Sequence, residues 1–443
     1  MSRVREKFWL LKGFFAKYGK LIVITILVTL FVIFFASKLY SKLPSSKPTI
    51  RVGIVGQFNS NQLPTKILNI LNAGLIQFNE RLEPIPNIAE SWTISDDGRK
   101  YIFKISPNNF WSDNTPLVAS DIRLSIPNIN IEAPDNYTLV FQIPTKFSPF
   151  ISLLNIPIVN NESKIASQYS IKLKQKGSGI ITHVTLESKK NKIVFFTYPT
   201  AKQALVSYKL GQVDTLLDLP SDLITEANDY GQIQEKSDIS QSVLLIFNQA
   251  DPNLKEKTVR QSIAYMLKDK TFGKKESLTT ISPSSWSYNP LIKTYPFNPQ
   301  RAKELTSSKI SLELSTTPEL LSIAENIKSQ LDSDLYEITI KVVTSTPEHF
   351  QLYLTNFNIP NDPDQYREWH STQTTNIGHG SDEKIDKLLE DGRTASDQKQ
   401  RKAIYFDFQK TFAEELPALP LFHPSVFSIT RRPEQLKILD NLF

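Results

Sequence analysis

The sequence predicts a mixed α/β body carried behind one membrane-crossing helix, and three stretches predict it. Residues 21–37, LIVITILVTLFVIFFAS, are an uncharged apolar run that spans about 25 Å as a helix. Residues 96–105 place Asp96-Asp97-Gly98, residues that tolerate positive φ, before the alternating Tyr101-Ile102-Phe103-Lys104-Ile105, so a hairpin strand is expected there. Residues 310–314, 318–331 and 336–343 read as strand, helix and strand, the order of an α/β unit.

Charge divides unevenly along the chain. The 443 residues hold 51 basic and 45 acidic side chains, a net charge of +6. Ten of the basic residues and only Glu6 among the acids fall within residues 1–51, which leaves the remainder with 41 basic against 44 acidic, or −3. A body of that sign has no electrostatic footprint for DNA or RNA, so no nucleic-acid partner is expected. There is no cysteine, which excludes disulfides, thiol nucleophiles and an acyl anchor on an N-terminal cysteine.

Taken in order, six basic residues precede the apolar run. They place residues 1–20 in the cytoplasm by the positive-inside rule and the body outside. The run is longer than the usual signal-peptide core and no small-residue cleavage site follows it, so residues 21–37 are expected to stay as a single-pass anchor. Residues 38–48 read as a linker, with Pro44 and Pro48 stopping the helix. Residues 49–55, TIRVGIV, read as a strand, and residues 64–73 as a helix begun by Pro64. After the hairpin, residues 111–116 form a turn, and Ser120 and Asp121 are expected to cap a short helix over 118–126. Residues 137–143 read as a strand, 172–179 (KLKQKGSG) as a solvated loop, 193–196 as a strand and 201–210 as a helix. The run VLLIFN at 243–248 suits a strand buried on both faces, and 259–265 has helical spacing. Residues 282–299 are a Ser- and Pro-rich loop, and 399–415 a helix.

One set of motifs goes beyond local structure. The order Gly74-Leu75, Glu83-Pro84-x-Pro86-x-x-Ala89-Glu90-Ser91-Trp92, Ser95-Asp96-Asp97-Gly98-x-x-Tyr101-x-Phe103-x-Ile105, then Phe110 and Pro116-Leu117-x-Ala119-x-Asp121-Ile122, resembles the signature region of the family 5 extracellular solute-binding proteins. Gly211-x-Val213-Asp214 and Asn298-Pro299-x-x-Ala302-Lys303 are similar to later family positions. The resemblance implies a two-lobed periplasmic-binding-protein-like fold of the large peptide-binding type. Its expected bounds are a first lobe over 49–243 with an inserted subdomain over about 75–185, a second lobe over 244–421, and a return to the first lobe over 422–443. It also implies capture of an oligopeptide-like solute by hinge closure and delivery to an ABC permease. The alternative is an envelope interaction or chaperone-like protein that keeps the fold without transport. A monomer is expected.

Catalytic chemistry has little support in the sequence. His183, His349, His370, His379 and His423 lack metal-ligand spacing, and His370 and His379 read as solvated loop histidines. The formal match Ser381-Asp382-Glu383-Lys384 reads as a helix N-terminus. Arg260 reads as a structural partner of carbonyls or carboxylates. No enzyme activity, cofactor or metal is expected.

Candidate ligand contacts come from the family pattern at residues 352–376. The resemblance places Asp362 before Pro363, then Asp364, Trp369 and Asn376, at the cleft, with Phe357 as a further candidate; Trp369 and Trp286 can stack on a ligand or fill the core, the core being the commoner place for such a residue. Peptide-binding members carry an acidic residue three positions before that Asp-Pro, which pairs with the peptide amino terminus. Ile359 stands there in this chain, which removes that anchor unless Asp362 or Asp364 substitutes for it. The family's aromatic segment after its Gly-rich motif is missing beyond Gly177-Ser178-Gly179, which points to an altered pocket.

Overall fold

The computed structural model describes residues 2–40, 48–59, 63–71, 73–124, 126–159, 164–167, 169–177, 179–188, 191–306 and 308–440. The N-terminal unit is one helix, Ser2–Tyr40, whose segment Ala16–Phe34 is long and apolar enough to cross a membrane. It runs through the basic segment and three residues into the expected linker; the rest of that linker up to residue 47 lies outside the described residues. Thr25 and Thr29 do not interrupt it, because each hydroxyl donates at 2.8 Å to the carbonyl four residues back.

The remaining body is two-lobed, each lobe built on its own sheet. In the first, Thr49–Val55 lies parallel to Thr215–Leu219, within a seven-stranded order that runs from Gln232–Ser237 through Ser425–Thr430 to Ser170–Gln175. In the second, Gln241–Phe247 is central, antiparallel to Leu352–Asn358 on one side and to Ala418–His423 on the other. Alternation explains the unbroken apolar run in that strand. Val243, Leu245 and Phe247 enter one core with Leu314 and Ile338, while Leu244 and Ile246 enter another with Trp369 and Phe412. The α/β unit is present as Ile310–Thr316 and Tyr336–Val342 in parallel, with Leu321–Leu331 between them.

A four-stranded antiparallel sheet, Ala89–Ile94, Lys100–Ile105, Thr138–Gln142 and Asn130–Asp135, has a third core. Its hairpin forms where expected: Gly98 has φ 68°, and Gly98 N donates to Ser95 O at 2.8 Å. Tyr101, Phe103 and Ile105 face inward, as their period of two requires.

Two local expectations are corrected. The short helix over 118–126 is a single 3₁₀ turn, Ala119–Asp121, with no side-chain cap. Ile122 is already extended and Arg123 N bonds to Val159 O at 3.0 Å, so the chain pairs with a neighbour instead of coiling. The solvated loop over 172–179 is largely a strand, Ser170–Gln175, antiparallel to Ile181–Glu187, with Gly179 at φ 78° in the turn. Lys172 and Lys174 are polar because this is an outer strand of the sheet. Arg260 is structural as expected, donating to the carbonyls of Leu254, Lys255, Glu415 and Leu416.

Candidate binding site

A cavity of about 390 Å³ lies where the four-stranded sheet meets the second lobe. Its wall on the sheet side holds Trp92, Ile94 and Tyr101, with Ile151 and Ser152 from the following segment. Trp286, Asp362 and Arg401 come from the second lobe. Each arrives for a local reason. Trp92 and Ile94 share one face of their strand. Tyr101 is held by its hydroxyl, which donates to Phe147 O at 3.1 Å, and burial pushes its pKa up to about 12. Trp286 is held by its backbone N, which donates to Arg81 O at 2.8 Å.

Asp362 sits at the base of an ion pair. Arg401 donates to it at 2.8 and 3.3 Å, and the two side chains are 9% and 13% exposed for Arg and Asp respectively. Ser152 Oγ donates to the same carboxylate at 2.8 Å and Asp364 N at 3.0 Å. Burial opposes the Arg401 charge, but Asp362 and Tyr405 together outweigh it and raise the guanidinium's pKa. Arg401 is further fixed by Nε, which donates to Gly392 O at 2.9 Å, and its Cζ lies 5.5 Å from the Trp286 ring centre. The carboxylate is therefore fully engaged by protein donors.

Further bonds cross between the sheet segment and the second lobe. Ser148 N donates to Arg393 O at 2.7 Å, Ser148 Oγ to Ala395 O at 2.6 Å, and Gln398 Nε2 to Glu83 Oε1 at 3.3 Å. Together with Ser152 and Asp362 they hold the cavity closed on that side.

Among the six residues expected at the ligand, Asp362 and Trp286 line this cavity. Asp364 stands behind it, paired with Arg393 through Nε at 3.0 Å to both oxygens. Burial raises the Asp364 pKa even against that cation. Trp369 is 5% exposed inside the second-lobe core, its Nε1 donating to Gln365 Oε1 at 3.0 Å and its ring edge on Phe412. Phe357 packs against the same cluster. Asn376 is buried, with Nδ2 donating to Gly380 O at 2.9 Å. These three are therefore packed or bonded within the second lobe and are not in the cavity lining. His370, expected in solvent, is 3% exposed and stacked on Tyr366 at 3.9 Å between ring centres.

Glu83, Trp92, Tyr101, Lys146 and Arg401 also line the cavity, although the sequence offered none of them as a ligand contact. One signal was available for the last. Gln398 and Arg401 are three apart at the start of the helix Gln398–Glu415, so they share a face.

Known proteins match over most of the body. The family model described as Bacterial extracellular solute-binding proteins, family 5 Middle, matches residues 83–130 and 187–378, more than half of the chain. A probable di/tripeptide-binding protein 5 of Pseudomonas aeruginosa is 23% identical and covers 86% of this chain and 90% of its own length. The oligopeptide-binding protein AppA of Bacillus subtilis is 22% identical over 86% of this chain and 87% of its own. The crystal structure of the ABC transporter substrate binding protein CtaP from Listeria monocytogenes superposes with a TM-score of 0.73 at 19% identity, over 87% of this chain and 94% of that one. The family match takes in Glu83, Trp92, Tyr101 and Asp362 but stops short of Lys146 and Arg401.

Proposed function

Because the chain belongs to the bacterial extracellular solute-binding proteins of family 5, we propose that it captures short peptides outside the membrane and delivers them to an ABC permease. The observation that carries this reading is the cavity between the four-stranded sheet and the second lobe, walled by Trp92, Tyr101 and Trp286 and fringed by charge. An apolar pocket with a few convergent polar groups is the form a small-ligand site takes. The chain crosses between the two sheets near residues 237–241 and 423–425, and bending there would open the cavity. The helix Ser2–Tyr40 serves as the anchor, since its apolar segment has the length of a membrane crossing. The protein should stay with membranes through an alkaline carbonate wash; release into the supernatant would rule the anchor out.

A thermal-shift screen of the full-length protein in nanodiscs, with pools of di- to pentapeptides and with oligosaccharides, tests the ligand class. Peptide pools are expected to raise Tm, since a ligand held only by the folded state stabilises it by mass action. One observation favours a second reading, the fold kept without transport. Ile359 is 6% exposed with its N bonded to Ser240 O, so the position that anchors peptides in relatives of this pattern is closed and apolar. A flat response to every pool would favour that reading.

A further inference from the structure

We infer that Glu83 and Lys146 are the residues that recognise the two ends of a short zwitterionic peptide in this cavity. The assignment rests on the peptide reading above and deepens it. Four charged side chains line the cavity: Glu83, Lys146, Asp362 and Arg401. Asp362 and Arg401 neutralise each other, and Ser152 with the Asp364 backbone takes up the remaining acceptor capacity of the carboxylate. A ligand ammonium finds no free acceptor there. Ile359 offers none either.

Glu83 differs in its partners. Its carboxylate accepts from Asn79 Nδ2 at 2.7 Å and from Gln398 Nε2 at 3.3 Å, both neutral amides. No cation of the described residues lies within ion-pair distance of it, so the charge is oriented but uncompensated. The Trp286 backbone bonds to Arg81, two residues away, which brings an indole into the same neighbourhood. A carboxylate beside an aromatic wall is a setting that favours a cation.

Lys146 supplies the opposite charge. Its stem crosses the hairpin turn so closely that a Cβ on Gly98 would stand 2.7 Å from Lys146 Cγ, and among the described residues its ammonium has no carboxylate partner. Glu83 and Lys146 line one cavity yet do not pair with each other. Charges of opposite sign that line one cavity without neutralising each other match a ligand that itself carries both, and Trp92, Ile94 and Ile151 in the same lining offer apolar surface to its side chains. The volume, about 390 Å³, lies near the small end of ligand pockets and suits a short peptide.

Titration calorimetry on the full-length protein in nanodiscs tests this with three probes: the tripeptide Ala-Phe-Ala, its N-acetyl form and its C-terminal amide. Wild type is expected to bind the free tripeptide and to lose at least about tenfold on N-acetylation, as loss of a charged hydrogen bond implies. Glu83→Gln should lose a similar factor with the free peptide and then be indifferent to acetylation, while Glu83→Asp, which keeps the charge, should restore part of the preference for a free amine. Lys146→Met should be indifferent to C-terminal amidation in the same way. If the variant and the peptide modification reduce affinity independently, so that their factors multiply, the termini are read elsewhere and the assignment is overturned while the peptide reading stands. If wild type binds none of the three probes, the peptide reading fails and takes the assignment with it.

Discussion

At the scale of single residues, Asp362 shows how a carboxylate in the right loop can be occupied by the protein itself. With Asp362 and Arg401 both close to buried, removing one partner strands the other charge in a poor solvent. Asp362→Ala is therefore expected to cost about 3–5 kcal/mol of folding stability, read as a lower urea midpoint. The double variant Asp362→Ala, Arg401→Met should recover part of that loss, because no charge is left behind; a double variant as unstable as the two single losses added together would mean the pair is not coupled. The loop bearing Asp362 was legible in the sequence through its Asp-Pro pattern. Its partner was not, since Arg401 is 39 residues further on and nothing in one sequence links two positions across a fold. Glu83 stood in plain view inside the family pattern, but a pattern does not say which of its polar residues lack a counter-charge. The aromatic candidates were ambiguous for a physical reason: Trp286 and Trp369 have the same chemistry, and only packing sends the first to the cavity and the second to the core.

At the scale of elements, the helices Glu383–Thr394 and Gln398–Glu415 lie against each other, and Gly392 is the point of close approach. A Cβ there would meet the Tyr405 hydroxyl at 2.6 Å and the ring Cζ at 2.7 Å. Tyr405 is fully buried, so its ring has no open side to move toward. Gly392→Ala should gain about 1 kcal/mol of helix propensity and lose roughly 1–3 kcal/mol to overpacking, for a net destabilisation in a denaturant titration. A higher midpoint would show that the two helices slide apart freely. Because the Gly392 carbonyl also accepts from Arg401, the same substitution should weaken ligand binding beyond its effect on stability. Elements with strong period were read well from sequence, including the central strand and the helix from residue 398. The two that failed were short. A lysine-bearing outer strand has little apolar alternation to announce it, and a capping-type Ser-Asp pair does not make a helix where the backbone is claimed by a neighbouring segment.

At the scale of the whole molecule, the two sheets are joined by crossings that meet at His423. Its Nδ1 lies 2.6 Å from Gln241 O, so the end of one crossing strand is tied to the start of the other. Burial lowers the His423 pKa below its ordinary value of about 6.5, and Lys275 pushes the same way, while the bond to Gln241 and the charge of Asp238 partly oppose the shift. Between the lowered folded value and about 6.5 the unfolded chain therefore holds more protons than the folded one. The sign follows: this contribution to stability is fully present above about pH 6.5 and is lost as pH falls through the window toward the folded value. His183, also lowered by burial and then by Lys174, adds a contribution of the same sign in the first sheet. Thermal melts of the full-length protein from pH 8 to pH 5 should thus show Tm falling on acidification, and His423→Gln, which keeps a polar side chain at the crossing without a titrating ring, should fall less steeply. If wild type and variant trace parallel curves, the acid sensitivity originates outside the crossings, and the tie between His423 and Gln241 carries no share of it.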